Sequence, residues 1–246
     1  MDLTIVGCSG SFPGTDSAAS CYLVTADGFR LLIDLGNGAF GPLQSRTDPA
    51  QVDAVLISHL HADHCVDMGA YQVFRKLFPA GALPPIPVYG PAGAAHRLDR
   101  AAAVDDGHPV SEAFDFETLA AGTFEIGPLT VTAGHMNHPV ETFGFRLEHA
   151  GRVIAYSADT GPTDGLIRLA AGADVLLCEA SFTEGPGLPA DQHLTARQAG
   201  EHAARAEAGR LVLTHLMPWN DRERAQAEAA ASYQGALSLA VPGQVI

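Results

Sequence analysis

Three histidines and one aspartate fall within six residues, directly after the short apolar run 55–57. The cluster reads His59-Leu-His61-Ala-Asp63-His64. Because alternate side chains of a strand point to the same side, His59 and His61 can share one metal ion. A helix that starts near Asp63 would direct Asp63 and His64 toward a second ion. Imidazole and carboxylate together suit zinc and its first-row neighbours, so the cluster predicts a metal site at the end of a buried strand.

The spacing His-x-His-x-Asp-His resembles the metal motif of the metallo-β-lactamase fold superfamily, a group of dinuclear metal hydrolases. Three further positions extend the resemblance. His138 stands five residues before an aromatic-Gly-aromatic strand, Asp159 lies in a Tyr-Ser-Ala-Asp-Thr stretch, and His215 closes the apolar run 211–214. The resemblance implies two divalent metal ions, with zinc the first expectation and manganese, iron or cobalt also suited to these ligands. It assigns His59, His61 and His138 to one ion, Asp63, His64 and His215 to the other, and Asp159 to the bridge between them.

The resemblance also implies a general acid. His193 matches a His-x-Thr-Ala motif just before a predicted helix, and Glu179 matches the glutamate that steadies this histidine. A carboxylate beside an imidazole raises its pKa and fixes its tautomer, which suits a proton donor near neutral pH. A lone histidine beside a helix is more often a surface residue, but the motif and Glu179 together favour the catalytic reading. Asp63 is assigned to catalysis as well as to metal binding.

Apolar runs that predict strands alternate with longer stretches that predict helices. Strands are predicted at 3–6, 21–25, 31–34, 54–58, 87–89, 129–133, 142–147, 153–157, 174–178 and 211–214. Helices are predicted at 65–78, 92–104, 163–171, 195–208 and 221–233, the fourth opened by a capping box at Thr195. Together with the resemblance, this order predicts an α/β fold, the four-layer αβ/βα sandwich. Residues 1–246 are expected to form a single domain.

Charge and one short loop argue against a long nucleic acid as partner. The chain has 14 Lys+Arg against 28 Asp+Glu, a formal net charge of −14. Such a charge repels polyanions, whose binding depends on basic side chains. The transfer-RNA-processing ribonucleases of the resembled superfamily carry a long arm between two strands, but here only residues 147–155 separate Arg146 from Tyr156. A tight hairpin is expected there, and a small phosphodiester is the expected partner.

The sequence gives no indication of a membrane or of an oxidising compartment. No segment offers the roughly 18 uninterrupted apolar residues of a membrane span, and the first residues lack the basic and apolar regions of a signal peptide. The four cysteines (Cys8, Cys21, Cys65 and Cys178) show no paired spacing, which favours reduced thiols and a cytoplasmic protein. Relatives in the resembled superfamily are commonly dimers, so a homodimer is expected.

A narrower resemblance indicates the substrate. A resemblance to the actinobacterial cyclic-nucleotide phosphodiesterases called atypical class II is carried by the segments 6–11, 58–65, 138–139 before 143–144, 156–161, 177–181, and 213–215 with 218–219. This resemblance implies hydrolysis of 3′,5′-cyclic AMP or GMP to the 5′-nucleotide, because two ions can activate a shared water and clamp a phosphoryl group. It further implies a metal-bridging hydroxide as nucleophile, with His193 protonating the departing 3′-oxygen.

Other functions stay open at this stage. A ribonuclease Z-like endonuclease without the arm is the second hypothesis, although such ribonucleases have Thr where this chain has Ser181. A hydrolase of non-phosphate esters, such as a lactonase, thioesterase or β-lactamase, is the third. His193 and Glu179 argue against it, because carbonyl hydrolysis on this fold does not need that acid. A non-catalytic module is disfavoured by the intact ligand set.

Some residues near the motifs receive secondary readings. Asp34, at a strand end, is expected to brace the metal loop rather than bind metal. Trp219 either stacks on a purine or plugs the core, two readings of equal weight, and the loop 12–17 is expected to rim the cleft. The remaining histidines, read as solvated or capping residues, are His96, His108, His135, His149 and His202.

Overall fold

The computed structural model describes residues 1–102 and 109–246 and contains two mixed β-sheets. In the first sheet an antiparallel meander, β1 to β3, continues into parallel strands, β3 to β6, so the strands follow chain order. Its strands are β1 (Asp2–Gly7), β2 (Cys21–Ala26), β3 (Phe29–Ile33), β4 (Ala54–Leu56), β5 (Ile86–Gly90) and β6 (Phe114–Thr118).

The second sheet also follows chain order and also changes from antiparallel to parallel pairing. Strands β7 to β10 are antiparallel neighbours, and β10 to β13 are parallel neighbours. Its strands are β7 (Gly122–Ile126), β8 (Leu129–His135), β9 (Phe143–His149), β10 (Arg152–Tyr156), β11 (Val175–Glu179), β12 (Arg210–Thr214) and β13 (Ala236–Leu239).

Within residues 1–102 and 109–246, seven α-helices connect the strands, and the longer ones cover the outer faces of the sheets. The helix α6 begins at the predicted capping box, in which the Thr195 hydroxyl accepts from the Gln198 N–H and the Gln198 side chain accepts in return. Short 3₁₀ helices lie at Pro49–Gln51 and Val110–Ala113. The helices are α1 (Phe40–Gln44), α2 (Ala62–Cys65), α3 (Met68–Lys76), α4 (Ala94–Ala101), α5 (Asp164–Leu169), α6 (Ala196–Arg205) and α7 (Arg222–Ala230).

Three apolar clusters hold these layers together. The central cluster joins the inner faces of the two sheets, with Ile5 and Leu31 from one sheet and Phe145 and Leu177 from the other. A second cluster lies between the second sheet and the helices α5 to α7, and a third between the first sheet and the helices α1, α3 and α4. Burying one face of each element in this way gives helix, sheet, sheet and helix layers. The predicted αβ/βα sandwich is confirmed.

The structure departs from the sequence-based elements where apolar signal is weak. β6, β7 and β13 were not predicted, because each lies at a sheet edge and its residues are largely exposed or half-buried. The helix predicted at 65–78 corresponds to α3 (Met68–Lys76), and the short helix α2, which shares only Cys65 with the predicted range, precedes it. Of the helix predicted at 92–104, residues 94–101 are helical, while its last two residues and His108 lie outside the described residues.

A tight hairpin joins β9 and β10, as the sequence predicts. His149 pairs with Arg152, and the two residues between them, Ala150 and Gly151, have φ of 50° and 80°. Positive φ at both central residues defines a type I′ turn, which matches the twist of adjacent antiparallel strands. The connection between these strands therefore has no room for an arm.

Candidate metal centre

The histidine cluster follows β4 at the end of the first sheet, where a buried carboxylate holds its backbone. Asp34 has a left-handed φ of 56° just after β3, and its Oδ1 accepts from the Ser58 N–H at 2.8 Å. Its Oδ2 accepts from the Ser58 hydroxyl at 2.8 Å and from the Tyr156 hydroxyl at 2.9 Å. The same Oδ2 lies 2.8 Å from His64 Nδ1. Asp34 therefore braces the loop without pointing into the site, as expected.

The first group of predicted ligands meets at one point. His59 Nε2 lies 3.0 Å from His61 Nδ1, and His61 Nδ1 lies 3.2 Å from His138 Nε2. Oδ2 of Asp159 lies 3.6 Å from His59 Nε2 and 4.0 Å from His138 Nε2. One ligand atom from each residue thus lies within 4.8 Å of the others.

The second group lies on the other side of Asp159. His215 Nε2 is 3.1 Å from Asp63 Oδ2 and 3.3 Å from His64 Nε2. Oδ1 of Asp159 is 3.2 Å from His64 Nε2 and 3.4 Å from His215 Nε2. All four side chains are buried. Asp159 directs one carboxylate oxygen to each group, which is the geometry expected of a bridge.

Spacing and an unpaired oxygen both fit a bound cation. Ligand atoms about 2.1 Å from a tetrahedral zinc ion lie about 3.4 Å from one another, close to the separations found in both groups. Among the described residues, Oδ1 of Asp159 is fully buried yet accepts no hydrogen bond. A buried carboxylate oxygen without a partner is costly unless a cation neutralises it. The two groups are therefore compatible with a divalent metal site.

Hydrogen bonds at the far side of four rings fix which nitrogen faces the centre. His138 Nδ1 lies 2.8 Å from the Gln192 carbonyl oxygen, which can only accept, so Nδ1 carries the proton and Nε2 presents a lone pair. The Asp34 carboxylate acts in the same way on Nδ1 of His64. Hydroxyls lie at the Nδ1 atoms of the other two rings, Ser58 at His59 and Ser181 at His215. Such outer partners orient metal-binding imidazoles.

Electrostatics keep most of these groups in the form that binds cations. Burial lowers the pKa of His59 well below its ordinary value, and it lowers the pKa of His61 and His138 as well. Burial acts the other way on Asp63, but hydrogen bonds with His215 and His64 outweigh it and hold the pKa of this carboxyl below its ordinary range. Neutral imidazole and ionised carboxylate are the states that metals require.

The pKa of His64 shifts in the opposite direction to that of the other three histidines, because carboxylates surround it. Burial alone would lower the pKa of His64, but the Asp159 and Asp34 carboxylates raise it well above its ordinary value. Burial likewise opposes ionisation of Asp159, yet nearby imidazoles, with His215 the largest contributor, hold its pKa well below the ordinary value. The carboxylates that favour a proton on His64 would also stabilise a cation at Nε2.

The predicted acid and its glutamate are hydrogen-bonded beside the ligands. His193 Nδ1 lies 2.9 Å from Glu179 Oε1 and 4.0 Å from Asp159 Oδ2. Burial lowers the pKa of His193, but the charge and hydrogen bond of Glu179 outweigh burial and raise the pKa to about 9. Glu179 is itself buried at the end of β11, where it also accepts from the Thr160 N–H at 2.7 Å. The pair can therefore hold a proton at neutral pH.

Ser181 connects this pair with the metal ligands, a role that sequence reasoning missed. Its hydroxyl donates to Glu179 Oε2 at 2.8 Å and lies 2.8 Å from Nδ1 of His215. Because the hydroxyl hydrogen goes to Glu179, the oxygen accepts from the His215 N–H. The available signal was the position of Ser181 in the Cys-Glu-Ala-Ser stretch, two residues after Glu179.

The structure also gives the positions of two further histidines and of Trp219. His202 is buried rather than solvated, and its Nε2 accepts from the N–H of Thr163, the N-cap residue of α5. His135 is exposed with its ring against Phe143, outside both ligand groups. The prediction that Trp219 fills a gap in the core is wrong, because 71% of this residue is exposed to solvent. Its ring lies on the surface next to Phe12.

Three further features lie outside the metal centre. The four cysteines are buried and free. In the described ranges, 1–102 and 109–246, no helix combines the length and apolar character needed to cross a membrane. The formal net charge remains strongly negative, at −14.

Several known proteins are similar to this chain in sequence or in structure. The family model of the beta-lactamase superfamily domain matches residues 29–216. An uncharacterized protein of Mycobacterium tuberculosis is 42% identical over 247 residues, which cover 97% of this chain and 89% of the relative. Ribonuclease Z of Mycolicibacterium gilvum is 32% identical over 245 residues, 89% of this chain and 85% of that enzyme. The metallo-beta-lactamase fold protein YhfI from Bacillus subtilis, in its crystal structure, has a TM-score of 0.88 at 28% identity, covering 100% of this chain and 98% of that one.

The matched family region contains the whole histidine cluster, Asp159 and His215, and the similarity to the mycobacterial protein extends over nearly the full length. The chain therefore belongs to the beta-lactamase superfamily, as a metallo-hydrolase with the metallo-β-lactamase fold.

Proposed function

We propose that this hydrolase cleaves small phosphodiesters, with a 3′,5′-cyclic nucleotide such as cyclic AMP or cyclic GMP as the favoured substrate. The observation that carries the proposal is the His193–Glu179 pair beside both ligand groups. An alkoxide leaving from phosphorus needs a proton, and a histidine held at a raised pKa can supply it. Carbonyl hydrolysis on this fold has no comparable need, which disfavours lactones, thioesters and β-lactams.

The ligand groups would hold two divalent ions, with zinc our first choice and manganese or iron as alternatives. When bound, such ions act as Lewis acids, lower the pKa of water and neutralise charge on a phosphoryl group. Asp159 would hold the two ions together, since each of its carboxylate oxygens faces a different group. The histidines that stay neutral add no negative charge that would repel a phosphate.

In the proposed reaction a water oxygen bonds to phosphorus and the bond from phosphorus to the 3′-oxygen breaks. Glu179 occupies Nδ1 of His193, which leaves Nε2 to give its proton to that 3′-oxygen. Glu179 then holds the neutral ring in place until Nε2 regains a proton from solvent, which balances the proton that the attacking water loses to solvent. The product is a 5′-nucleotide.

Two observations support a small substrate over transfer RNA. The β9–β10 connection is a two-residue turn, and the chain carries a net charge of −14, which repels long polyanions. The second candidate, a ribonuclease Z-like endonuclease, is supported by the 32% identity to Ribonuclease Z of Mycolicibacterium gilvum. The buried free cysteines support a reducing compartment such as the cytoplasm.

The deciding experiment incubates the purified, metal-loaded protein with 3′,5′-cyclic AMP and follows 5′-AMP by chromatography. We expect product that is lost with a chelator and with Asp63→Ala, but retained with Asp164→Ala, an exposed aspartate paired with Arg205. Bis-p-nitrophenyl phosphate, a chromogenic lactone, a cephalosporin and a transfer RNA precursor run in parallel. Faster turnover of the lactone or cephalosporin than of either diester would refute the phosphodiesterase proposal, and cleavage of the precursor alone would favour the ribonuclease.

A further inference from the structure

Two aromatic side chains form an exposed pair on the surface beside the metal centre. The rings of Phe12 and Trp219 have centroids 5.1 Å apart and an interplanar angle of 44°. Trp219 is 71% exposed and Phe12 is 37% exposed. Burial of an aromatic side chain is strongly favourable, so an exposed pair of aromatic rings is a candidate contact surface for a ligand. Phe12 supports one side of the indole and leaves much of its surface free.

The backbone ties both rings to the ligand His215. The N–H of Ser11, one residue before Phe12, lies 3.4 Å from His215 Nε2. The next N–H toward the N-terminus, that of Gly10, donates to the Leu216 carbonyl at 3.0 Å. Consecutive Cα atoms are about 3.8 Å apart, so the backbone of Phe12 lies one residue from the Ser11 N–H, which contacts His215 of the second ligand group.

Trp219 is tied to the acid side of the same site. Its neighbour Asn220 donates from Nδ2 to the Ser181 carbonyl at 2.8 Å. The Ser181 hydroxyl in turn contacts both Glu179 and the ring of His215. The loop that carries Trp219 is thus anchored on the residue that links the proton donor to a metal ligand. Both chain segments that carry the aromatic pair are therefore anchored on residues of the centre.

Open space lies next to the pair. A cavity of about 540 Å³ is lined by Phe12, Pro218 and Asn220 together with Arg222 and the loop 13–17. Volumes of about 300–1,000 Å³ are typical of sites for small ligands. The cavity is therefore large enough for a heterocycle beside Phe12, and the two chain neighbours of Trp219 form part of its wall.

We propose that Trp219, supported by Phe12, is the stacking platform for the nucleobase of the substrate. This inference rests on the proposed phosphodiesterase function and adds a substrate-binding residue that favours substrates with a base over substrates without one. Stacking accepts every base, because each has a π-face, and contributes chiefly to binding. The chain contains a single lysine, so lysine side chains offer little charge for holding a nucleotide. In this proposal the base binds by stacking on Trp219, and the phosphate binds at the metal centre.

Trp219 is the only tryptophan, so its fluorescence reports directly on this platform. The test titrates the metal-loaded protein with 5′-AMP and with ribose 5-phosphate, which has the same phosphate but no base. We expect saturable quenching by 5′-AMP and none by ribose 5-phosphate. We also expect Trp219→Ala to raise KM for cyclic AMP between about 5-fold and about 150-fold with little change in kcat, and Trp219→Phe to preserve most of the binding.

The matched control is Leu77→Ala, because Leu77 is 76% exposed but lies just beyond α3. This variant is expected to keep the wild-type KM. Equal effects of 5′-AMP and ribose 5-phosphate on the fluorescence, or an unchanged KM in Trp219→Ala, would overturn the platform while cyclic AMP hydrolysis by the wild type still stood. A change of oligomeric state in Trp219→Ala at unchanged KM would instead assign the pair to contact between copies of this chain. Absence of diester hydrolysis by the wild type would refute the proposed function and this inference with it.

Discussion

His64 Nδ1 lies 2.8 Å from Oδ2 of Asp34, and neither side chain is exposed to solvent. The carboxylate accepts a hydrogen bond from Nδ1–H of His64, which leaves Nε2 directed toward Asp63, Asp159 and His215. Asp34 also accepts from Ser58, which lies next to His59. A single buried carboxylate thus orients residues of both ligand groups.

Asp34→Asn is expected to weaken metal binding by about 10- to 100-fold, the usual cost of losing a partner that orients a metal-binding histidine. The amide keeps the size of the side chain, but its NH₂ group would face a donor. Metal affinity is measured by competition with a chromogenic chelator. Asp53→Asn is the control, since Asp53 is exposed and accepts from the Arg30 N–H. Equal affinities in the two variants would show that Asp34 does not support the ligands.

Asp159→Ala is expected to lose most bound metal and to lower diester hydrolysis more than about 100-fold, beyond the usual effect of a supporting residue. The reason is that Asp159 supplies one oxygen to each ligand group. Elemental analysis after dialysis measures the metal content, with Asp164→Ala as the exposed control. Two ions per chain in the Asp159→Ala protein would contradict its role as the bridge.

His193→Ala is expected to separate substrates by their leaving groups. The rate of cyclic AMP hydrolysis, in which the 3′-alkoxide needs a proton, should fall about 100- to 10,000-fold. The rate of p-nitrophenyl ester hydrolysis should fall far less, because p-nitrophenolate leaves without a proton. Initial rates on cyclic AMP and bis-p-nitrophenyl phosphate provide the comparison. His96→Ala, a change to an exposed histidine of α4, should leave both rates unchanged. A general acid is excluded if His193→Ala reduces the two rates by the same factor.

The histidine cluster could be predicted because its signal is local, whereas His138, Asp159 and His215 were predicted from the resemblance to the metallo-β-lactamase fold superfamily. His59 to His64 form one contiguous cluster after an apolar run, and the structure brings this cluster together with His138, Asp159 and His215. Most strands could be predicted for the same reason, since buried strands of a sandwich are continuous apolar runs. The edge strands β6 and β7 could not, because exposed residues such as Asp115 and Glu125 interrupt the apolar pattern.

The supporting contacts could not be predicted because they depend on three-dimensional packing. The Gln192 carbonyl orients His138, and a backbone carbonyl is present at every position of every sequence. Ser181 and His215 are 34 residues apart, and no spacing rule indicates that their side chains meet at 2.8 Å. The exposure of Trp219 likewise depends on loops that pack beside it, so both readings remained open until the fold was known.

Gly36→Ala is expected to destabilise the fold and weaken metal binding together. A Cβ at this position would lie 1.9 Å from the Asp63 carbonyl oxygen, so the metal loop would have to move. The expected loss in free energy of unfolding is about 1–3 kcal/mol. Gly41→Ala is the control in α1, where an added methyl contacts no heavy atom within 4 Å outside its chain neighbours and its own helix backbone. Urea unfolding and metal titration check both; Gly36→Ala with wild-type stability would mean that the loop has free room.

Ser181→Ala is expected to affect metal binding and proton transfer at once, because its hydroxyl serves both His215 and Glu179. The change leaves the Nδ1–H of His215 without an acceptor in a fully buried site, and losing such a partner typically costs about 10- to 100-fold in metal affinity or activity. Ser181→Thr keeps the hydroxyl and should restore most of the lost activity. Metal affinity and the cyclic AMP to p-nitrophenyl diester rate ratio are measured for both variants. A Ser181→Ala protein that retains both quantities would show that His215 and the His193–Glu179 pair act independently.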